Sequence, residues 1–258
     1  MRVVTRLELK YKLDIKQYYQ VLHAITPYVR EDRYTRLSGH EKGYLVRSLY
    51  FDTFGYLAYR EKDDGDYGRV KLRIRTYTDQ PDESARLSVE LKTKSGNAML
   101  KYSTFVTLAE YREFMDSWHW AGASGEVFTE FERLVLLKAF RPKTIVEYRR
   151  QGFEAIDGSG LRLTMDHGVR SAAGRCLFQE GLFFKEHSPG TVVFEIKTGQ
   201  DEPGWLYRLV KKLGLKAVSN SKYAQSIEAS GYEVKASGLW LPQADFHSQL
   251  SANIAHNA

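Results

Sequence analysis

The sequence predicts one α+β domain built on a large antiparallel β-sheet. Eight segments alternate polar and apolar residues with a period of two, which is typical of strands with one buried face. Amphipathic helical segments lie between these strands. No linker or shift in composition divides the 258 residues. We therefore expect one domain over residues 1–235 and a loose tail over residues 236–258.

Most of the predicted strands carry their charged residues on one face. In RLELKYKL, for example, Leu9 and Tyr11 share one face, whereas Glu8 and Lys10 share the other. A sheet of this size could also close into a barrel. The predicted strands cover residues 6–13, 44–52, 69–77, 86–94, 99–108, 144–156, 161–166 and 191–199.

Helices are predicted where apolar residues recur every three or four positions. Asp14 is a suitable N-cap for the first helix, and Gly214 is a suitable end for the fourth. The fourth helix is basic and amphipathic, and we expect it to pack on the sheet or to cover the site. The predicted helices cover residues 14–29, 108–120, 125–140, 204–214 and 221–232.

Composition indicates a packed protein with an anionic partner. Apolar residues make up 43% of the chain and aromatic residues 13%, which is enough for a core. The net charge of +6 favours nucleic acid, phosphates or an acidic membrane face without choosing among them. Cys176 is the only cysteine, and the chain shows neither a signal peptide nor a long apolar span. We expect a cytoplasmic protein with no direct membrane insertion.

Common catalytic motifs are missing from the sequence. It contains no phosphate-binding loop of the G-x-x-x-x-G-K-[ST] type and no G-x-G-x-x-G after a strand. It also lacks H-E-x-x-H and G-x-S-x-G. Nucleic-acid binding is disfavoured because no exposed pattern of aromatic and basic residues suits base stacking.

The charged strand faces allow two interpretations. In KLRIR, Lys71, Arg73 and Arg75 share one face, and Glu195 and Lys197 share a face in FEIKTG. An ordinary amphipathic sheet would turn these faces to water. However, like charges on adjacent strands repel each other unless an anion lies between them. The pattern therefore also fits a site for a polyanion and a divalent cation.

Eight motifs, in order, make the chain resemble a known family. Over residues 5–232 it is similar to the VTC domain, a polyphosphate polymerase of the triphosphate tunnel metalloenzyme superfamily. Related CYTH proteins begin with E-x-E-x-K, whereas Arg6, Glu8 and Lys10 fill this motif here, which favours the VTC branch. The motifs are RLELKYKL, SLYFDT, KLRIRTY, ELKTK, EYRRQGF, LRLTMD, FEIKTG and NSKY.

The resemblance implies an eight-stranded antiparallel β-barrel that forms a triphosphate tunnel with helices packed outside. It also implies transfer of the ATP γ-phosphoryl group to a growing polyphosphate chain, with release of ADP and with Mn²⁺ or Mg²⁺ as the cofactor. Substrate binding would fall on Tyr148 and Ser221. Substrate binding and catalysis together would fall on Lys10, Arg73, Arg75, Lys92, Lys101, Arg150, Arg162 and Lys222.

The resemblance also implies a metal site, with Glu195 as the main ligand and Glu8 as a second ligand. Glu195 could instead form a salt bridge to an arginine. Asp166 and Glu90 are expected to orient basic residues rather than to hold the metal. Tyr148 could donate to phosphate or simply pack. Lys222 could instead be a solvated residue at the start of the last helix.

Two positions depart from the family pattern. Ser219 stands where fungal members have a lysine, and Ser103 stands where a second basic residue is common. Either change could weaken binding of a long polyphosphate chain. A tunnel triphosphatase is an alternative function, because the same basic residues would serve with water as the acceptor. A non-catalytic polyphosphate-binding module that has lost turnover is another. ATP, inorganic phosphate and polyphosphate are the expected partners, and both a membrane-protein partner and the oligomeric state stay open.

Overall fold

The computed structural model describes residues 7–61, 69–95, 98–199 and 202–231. The predicted tail of residues 236–258 lies outside them. The strands are β1 (Leu7–Leu13), β2 (Val29–Glu31), β3 (Tyr44–Asp52), β4 (Arg69–Thr76), β5 (Leu87–Ser95), β6 (Ala98–Val106), β7 (Arg141–Ala155), β8 (Arg162–Ala173), β9 (Lys185–Glu186) and β10 (Val192–Thr198). The helices are α1 (Ile15–Ile25), α2 (Arg33–Ser38), α3 (Leu57–Arg60), α4 (Leu108–Ser117), α5 (Glu126–Leu137), α6 (Gly204–Lys212) and α7 (Lys222–Ala229).

The predicted α+β class and large antiparallel sheet are confirmed. Eight strands follow the order β1-β10-β8-β7-β3-β4-β5-β6, while β2 pairs with β7 and β9 with β8. Every pair of neighbouring strands is antiparallel. Within the described residues β1 and β6 do not pair, so the sheet is an open path of strands whose ends are not joined by backbone hydrogen bonds.

Helices cover the apolar face of the sheet in two places. Around β1, β8 and β10, the buried Tyr11 and Leu13 pack with α1 and α6 residues such as Val21 and Leu206. Around β3, β4 and β5, strand residues such as Phe51 pack with aromatic residues of α4 and α5. On most strands the apolar side therefore faces the helices, and the charged side faces the opposite way. On β3 and β7, the buried Arg47–Glu147 pair is an exception, because it shares the side of Leu49 and Ile145.

Contacts between distant strands show that the charged face is concave. The Glu8 carboxylate on β1 lies 3.5 Å from the Lys92 ammonium group on β5, although five strands separate them along the sheet path. Lys10 on β1 and Lys71 on β4 both reach the segment that precedes α7. Lys10 donates to the Asn220 carbonyl oxygen over 3.3 Å, and Lys71 donates to the Ser221 hydroxyl over 3.0 Å. The sheet is thus curled around its charged side.

Helix α7 packs against the concave face. Ser221 caps its first turn by accepting a hydrogen bond from the Ala224 amide over 3.3 Å. The Tyr223 ring stacks on Tyr50 of β3 with 5.3 Å between the ring centroids, and its hydroxyl group donates to Asp52. These contacts fix the first residue of the helix, Lys222, beside the sheet.

The predicted boundaries differ most from the structure at the ends of β8 and α1, and α1 ends at Ile25 rather than at the predicted residue 29. Strand β8 continues to Ala173, well beyond the predicted residue 166. The prediction stopped too early because the glycine and alanine residues in the second half of the strand hide the polar–apolar alternation. The sequence did not predict β2, α2, α3 or β9, which are too short to show a periodic pattern. Among the described residues, no helix is long and apolar enough to span a bilayer.

Candidate functional site

The concave face brings together most of the residues that the sequence singled out. Arg162 is exposed at the first residue of β8 and lies opposite Lys197 in the β8–β10 register. Glu8 is also exposed and lies beside Lys92 near the start of β1. The cationic residues of this face, which we call the concave cationic face, are Lys10, Lys71, Arg73, Arg75, Lys92, Lys101, Arg150, Lys197 and Lys222.

Glu90 on β5 is the centre of one charged cluster. Its Oε2 atom lies 2.5 Å from an Arg73 nitrogen and 3.0 Å from the Lys101 ammonium group. Arg75 lies deeper, with its nitrogens 3.7 Å from Glu90 and 3.1 Å from the Ser48 hydroxyl. Burial alone would raise the pKa of Glu90, but Arg73, Arg75 and Lys101 hold it well below its usual range. Glu90 is therefore an anion that holds the two arginines and also contacts the more exposed Lys101.

Asp166 on β8 is the centre of a second cluster. Arg150 donates to both carboxylate oxygens, over 2.6 and 2.9 Å, and the Lys222 ammonium group lies 2.5 Å away. The Tyr148 ring is buried between these cations, 5.3 Å from Arg150 and 4.7 Å from Lys222. Burial would raise the pKa of Asp166, but both cations lower it strongly. Lys222 is not a solvated helix start, so that alternative from the sequence is wrong.

Glu195 on β10 is surrounded by cations that do not hold it closely. Lys197, Lys10 and Arg150 lie 3.6, 3.9 and 3.9 Å from its carboxylate oxygens. These distances exceed ordinary hydrogen-bond lengths. Burial would raise the pKa of Glu195, but the lysines and Arg150 lower it, so the group is an anion at neutral pH. A buried, charged carboxylate with no close partner among these cations can accept an additional cation.

The donor set suits a hard metal ion only when a substrate completes the coordination. Among the described residues, no group of three or more His, Cys, Asp or Glu side chains is arranged to hold a metal. Glu195 on β10, and Glu8 opposite Lys197 in the β1–β10 register, supply carboxylate oxygens, which Mg²⁺ and Mn²⁺ prefer. Mg²⁺ commonly combines one or two protein carboxylates with substrate phosphates and water. Glu195 and Glu8 fit that chemistry and do not form a protein-only metal cage.

Burial and neighbouring cations lower the pKa values of three lysines of the concave cationic face, whereas the pKa of Lys222 is raised, chiefly by Asp166. Burial lowers the pKa of Lys10, and Lys222 and Lys92 lower it further against the opposing effect of Glu195. The pKa values of Lys101 and Lys197 are likewise lowered, mainly by burial. An anion bound between these groups would relieve the repulsion. The arrangement is therefore suited to a highly charged phosphate compound.

Some residues of the face were not predicted as site residues. Lys71 and Lys197 share strand faces with Arg73 and Glu195, so the alternation already indicated them. Tyr50 could not be recognised as a site residue from the sequence, because its contact with Arg73 depends on the register between β3 and β4. In that register, Tyr50 accepts a hydrogen bond from Arg73 over 3.0 Å. Burial would raise the pKa of Tyr50, but Arg73 and Arg75 outweigh burial and lower it to about 8.

Comparison with solved structures supports the fold. A protein of Bacillus halodurans, proposed to be an adenylate cyclase, is 16% identical, with a TM-score of 0.52, and the match covers 84% of this chain and 94% of that one. A Pyrococcus horikoshii protein is 15% identical, with coverages of 88% and 99%, and the Mimivirus capping enzyme triphosphatase is 6% identical, with coverages of 83% and 89%. Their TM-scores of 0.46 and 0.35 are too low to indicate the same fold by themselves.

Comparison with protein families identifies the chain. None of the curated proteins compared with it matches significantly. The sequence profile of the VTC domain matches residues 5–230, which is most of the chain and includes all the strands and α7. The matched region contains both charged clusters and Glu195. The chain therefore belongs to the VTC domain family.

Proposed function

We propose that this protein is a metal-dependent polyphosphate polymerase that transfers the γ-phosphoryl group of ATP to a growing polyphosphate chain and releases ADP. The observation that carries the proposal is the concave cationic face, in which Lys10, Arg150 and Lys197 surround Glu195. On the same face, Arg73, Arg75 and Lys101 surround Glu90. We further propose that the curled sheet acts as the eight-stranded tunnel of this superfamily. Membership of the VTC domain family supports both proposals.

The cations divide into fixed and mobile groups. Arg73 and Arg150 are held by Glu90 and Asp166, and a fixed guanidinium group suits binding of two phosphate oxygens at once. Lys92 and Lys101 have side chains that are 34% and 50% exposed, so they can follow phosphates that move along the face. In this proposal the arginines position the triphosphate, and the exposed lysines guide the polyphosphate chain.

Phosphoryl transfer on this face needs no protein nucleophile. A terminal oxygen of the polyphosphate chain attacks the γ-phosphorus atom of ATP, and the bond from that phosphorus to the β-phosphate oxygen breaks. The attacking oxygen is already anionic, so no general base is required. Lys10, Arg150 and Lys222 stabilise the negative charge on the transferred group, which is the main contribution that a protein makes to this reaction.

Glu195 and Glu8 would hold the metal ion in this proposal. When bound there, Mg²⁺ or Mn²⁺ would supply positive charge that offsets part of the negative charge of the phosphates. The position of Glu195 among Lys10, Lys197 and Arg150 supports this role, because the same phosphates would contact both the metal and the cations. The single cysteine of the chain is consistent with a reducing compartment such as the cytosol.

Product analysis tests the proposal directly. The purified protein is incubated with ATP and Mn²⁺, and the products are separated by size. We expect long phosphate chains together with ADP. ADP and orthophosphate alone would favour a triphosphatase, and tight polyphosphate binding without turnover would favour a binding module.

A matched pair of variants connects the activity to the face. Arg73→Gln should lower kcat/KM about 100-fold, because it removes a fixed phosphate-binding cation. Arg133→Gln removes an exposed arginine that pairs with Glu130 on α5, and it should leave kcat/KM unchanged. Equal effects of the two substitutions would contradict the placement of the site.

A further inference from the structure

Three tyrosines from separate parts of the chain meet at one end of the concave face. Tyr34 lies on α2, Tyr44 is the first residue of β3, and Tyr77 directly follows β4. The Tyr44 ring centroid is 5.7 Å from that of Tyr34 and 5.9 Å from that of Tyr77. The sequence showed no aromatic–basic pattern because these residues come together only in the folded chain. We call this group the tyrosine cluster.

The two outer rings of the tyrosine cluster are exposed and nearly parallel. Tyr34 and Tyr77 are 61% and 46% exposed, and their ring planes differ by 11°. Their centroids lie 6.3 Å apart, whereas the closed surface stack of Tyr28 on Trp205 has a separation of 4.1 Å. Their hydrophobic ring faces are therefore available to a flat aromatic ligand.

The tyrosine cluster is continuous with the concave cationic face. Tyr44 is directly opposite Arg150 in the β3–β7 register. Burial raises the pKa of Tyr44 while the Arg150 charge opposes the increase, so the phenol group lies within the electrostatic reach of that guanidinium group. Arg150 in turn lies 3.9 Å from Glu195. A ligand on the tyrosines could therefore extend its phosphates toward the catalytic cations.

The backbone around the tyrosine cluster is fixed by close contacts. Gly43 has a φ of +72°, and a Cβ atom at this position would collide with the Arg150 carbonyl oxygen. Before α2, the Asp32 amide donates to the Gly152 carbonyl oxygen over 2.8 Å, and the Asp32 carboxylate caps the helix by accepting from the Thr35 amide. The rings are thus held on rigid elements, so little conformational entropy is lost when a ligand stacks on them.

We infer that the tyrosine cluster binds the nucleobase of a nucleoside triphosphate whose phosphates occupy the concave cationic face. This inference rests on the proposed function, because it assigns a site to the part of the donor that is not phosphate. Stacking recognises the π-face that all bases share. The cluster therefore increases affinity for nucleoside triphosphates over inorganic triphosphate, and it discriminates only weakly between adenine and guanine.

Two ligands separate base binding from phosphate binding. The dissociation constants of ATP and inorganic tripolyphosphate are measured by calorimetry for the wild type, Tyr34→Ala and Tyr77→Ala. Tyr34→Phe and Tyr77→Phe keep the ring and serve as rescue variants. Tyr19→Ala is the matched control, because Tyr19 is 62% exposed on α1 and contacts Tyr18.

Each alanine substitution in the tyrosine cluster should weaken ATP binding about tenfold and leave tripolyphosphate binding unchanged. The phenylalanine variants and Tyr19→Ala should bind both ligands like the wild type. Unchanged ATP binding, or an equal loss for both ligands, would overturn the nucleobase site while the proposed function stands. A wild-type protein that binds neither ligand would overturn the proposed function and this inference with it.

Discussion

Lys222, the first residue of α7, lies 2.5 Å from the Asp166 carboxylate of β8, and both side chains are almost fully buried. Arg150 contacts the same carboxylate from β7. One buried anion therefore attaches the C-terminal helix to the sheet and holds two cations that face the concave side. The contact couples the stability of the fold to the geometry of the proposed phosphate site.

Asp166→Asn should lower the free energy of unfolding by about 3–5 kcal/mol, because it leaves Arg150 and Lys222 buried without their anion. Chemical denaturation measures the change. Asp116→Asn, at an exposed position on α4, is the control and should change stability by less than about 0.5 kcal/mol. Equal stabilities of the two variants would contradict the structural role of Asp166.

The same carboxylate should make stability depend on pH. The pKa of Asp166 is lower in the folded protein than the value of about 3.9 in an unfolded chain. Its contribution is therefore complete above about pH 4 and is lost as the pH falls toward the folded-state pKa. Between pH 5 and 3, the wild type should lose more stability than Asp166→Asn. Parallel pH profiles would show that another group is responsible.

Glu195→Gln should separate metal use from phosphate binding. We expect loss of metal-dependent turnover, because an amide oxygen is a weaker ligand than a carboxylate for a hard cation. In EDTA the variant should bind tripolyphosphate at least as tightly as the wild type, since a negative charge has been removed beside Lys10 and Lys197. If Glu195 only orients these lysines, the variant would instead bind tripolyphosphate more weakly in EDTA.

Tyr50 should affect ATP binding at alkaline pH. Its pKa is lowered to about 8 by Arg73 and Arg75, with a smaller effect of Lys222. Above that pH an added negative charge on the concave face should weaken ATP binding in EDTA by a few-fold. Tyr50→Phe should show a smaller decrease between pH 7 and 9, because it lacks the hydroxyl group that becomes charged near pH 8. Identical pH profiles would contradict this role for the Tyr50 hydroxyl.

A lysine at position 103 should strengthen polyphosphate binding. Ser103 lies opposite Glu90 in the β5–β6 register and on the same strand face as Lys101. Ser103→Lys restores the basic residue that is common in the family, and it should tighten polyphosphate binding by a few-fold at low salt. Thr129→Lys adds the same charge on α5 as a control. Equal tightening by both variants would indicate a general effect of net charge.

Strand alternation predicted which residues share the charged face, and the family motifs predicted most of the concave cationic face. Local sequence could not show that this face is concave, because that depends on contacts such as Glu8–Lys92 between distant strands. The pairing of Tyr50 with Arg73 and the meeting of Tyr34 with Tyr77 depend on register and curvature in the same way. Periodicity fails for β2 and β9 because two or three residues cannot display it.

The central claim is that the concave cationic face binds the triphosphate. Two matched substitutions test it most directly, one at Lys101 and one at Arg112. Lys101 is 50% exposed and lies 3.0 Å from Glu90 on this face, whereas Arg112 is 55% exposed and lies 2.7 Å from Glu83 on the helical side. Tripolyphosphate affinity is measured for Lys101→Gln and Arg112→Gln at the same salt concentration. We predict about a tenfold loss for Lys101→Gln and less than about a twofold loss for Arg112→Gln. Equal losses would contradict the claim.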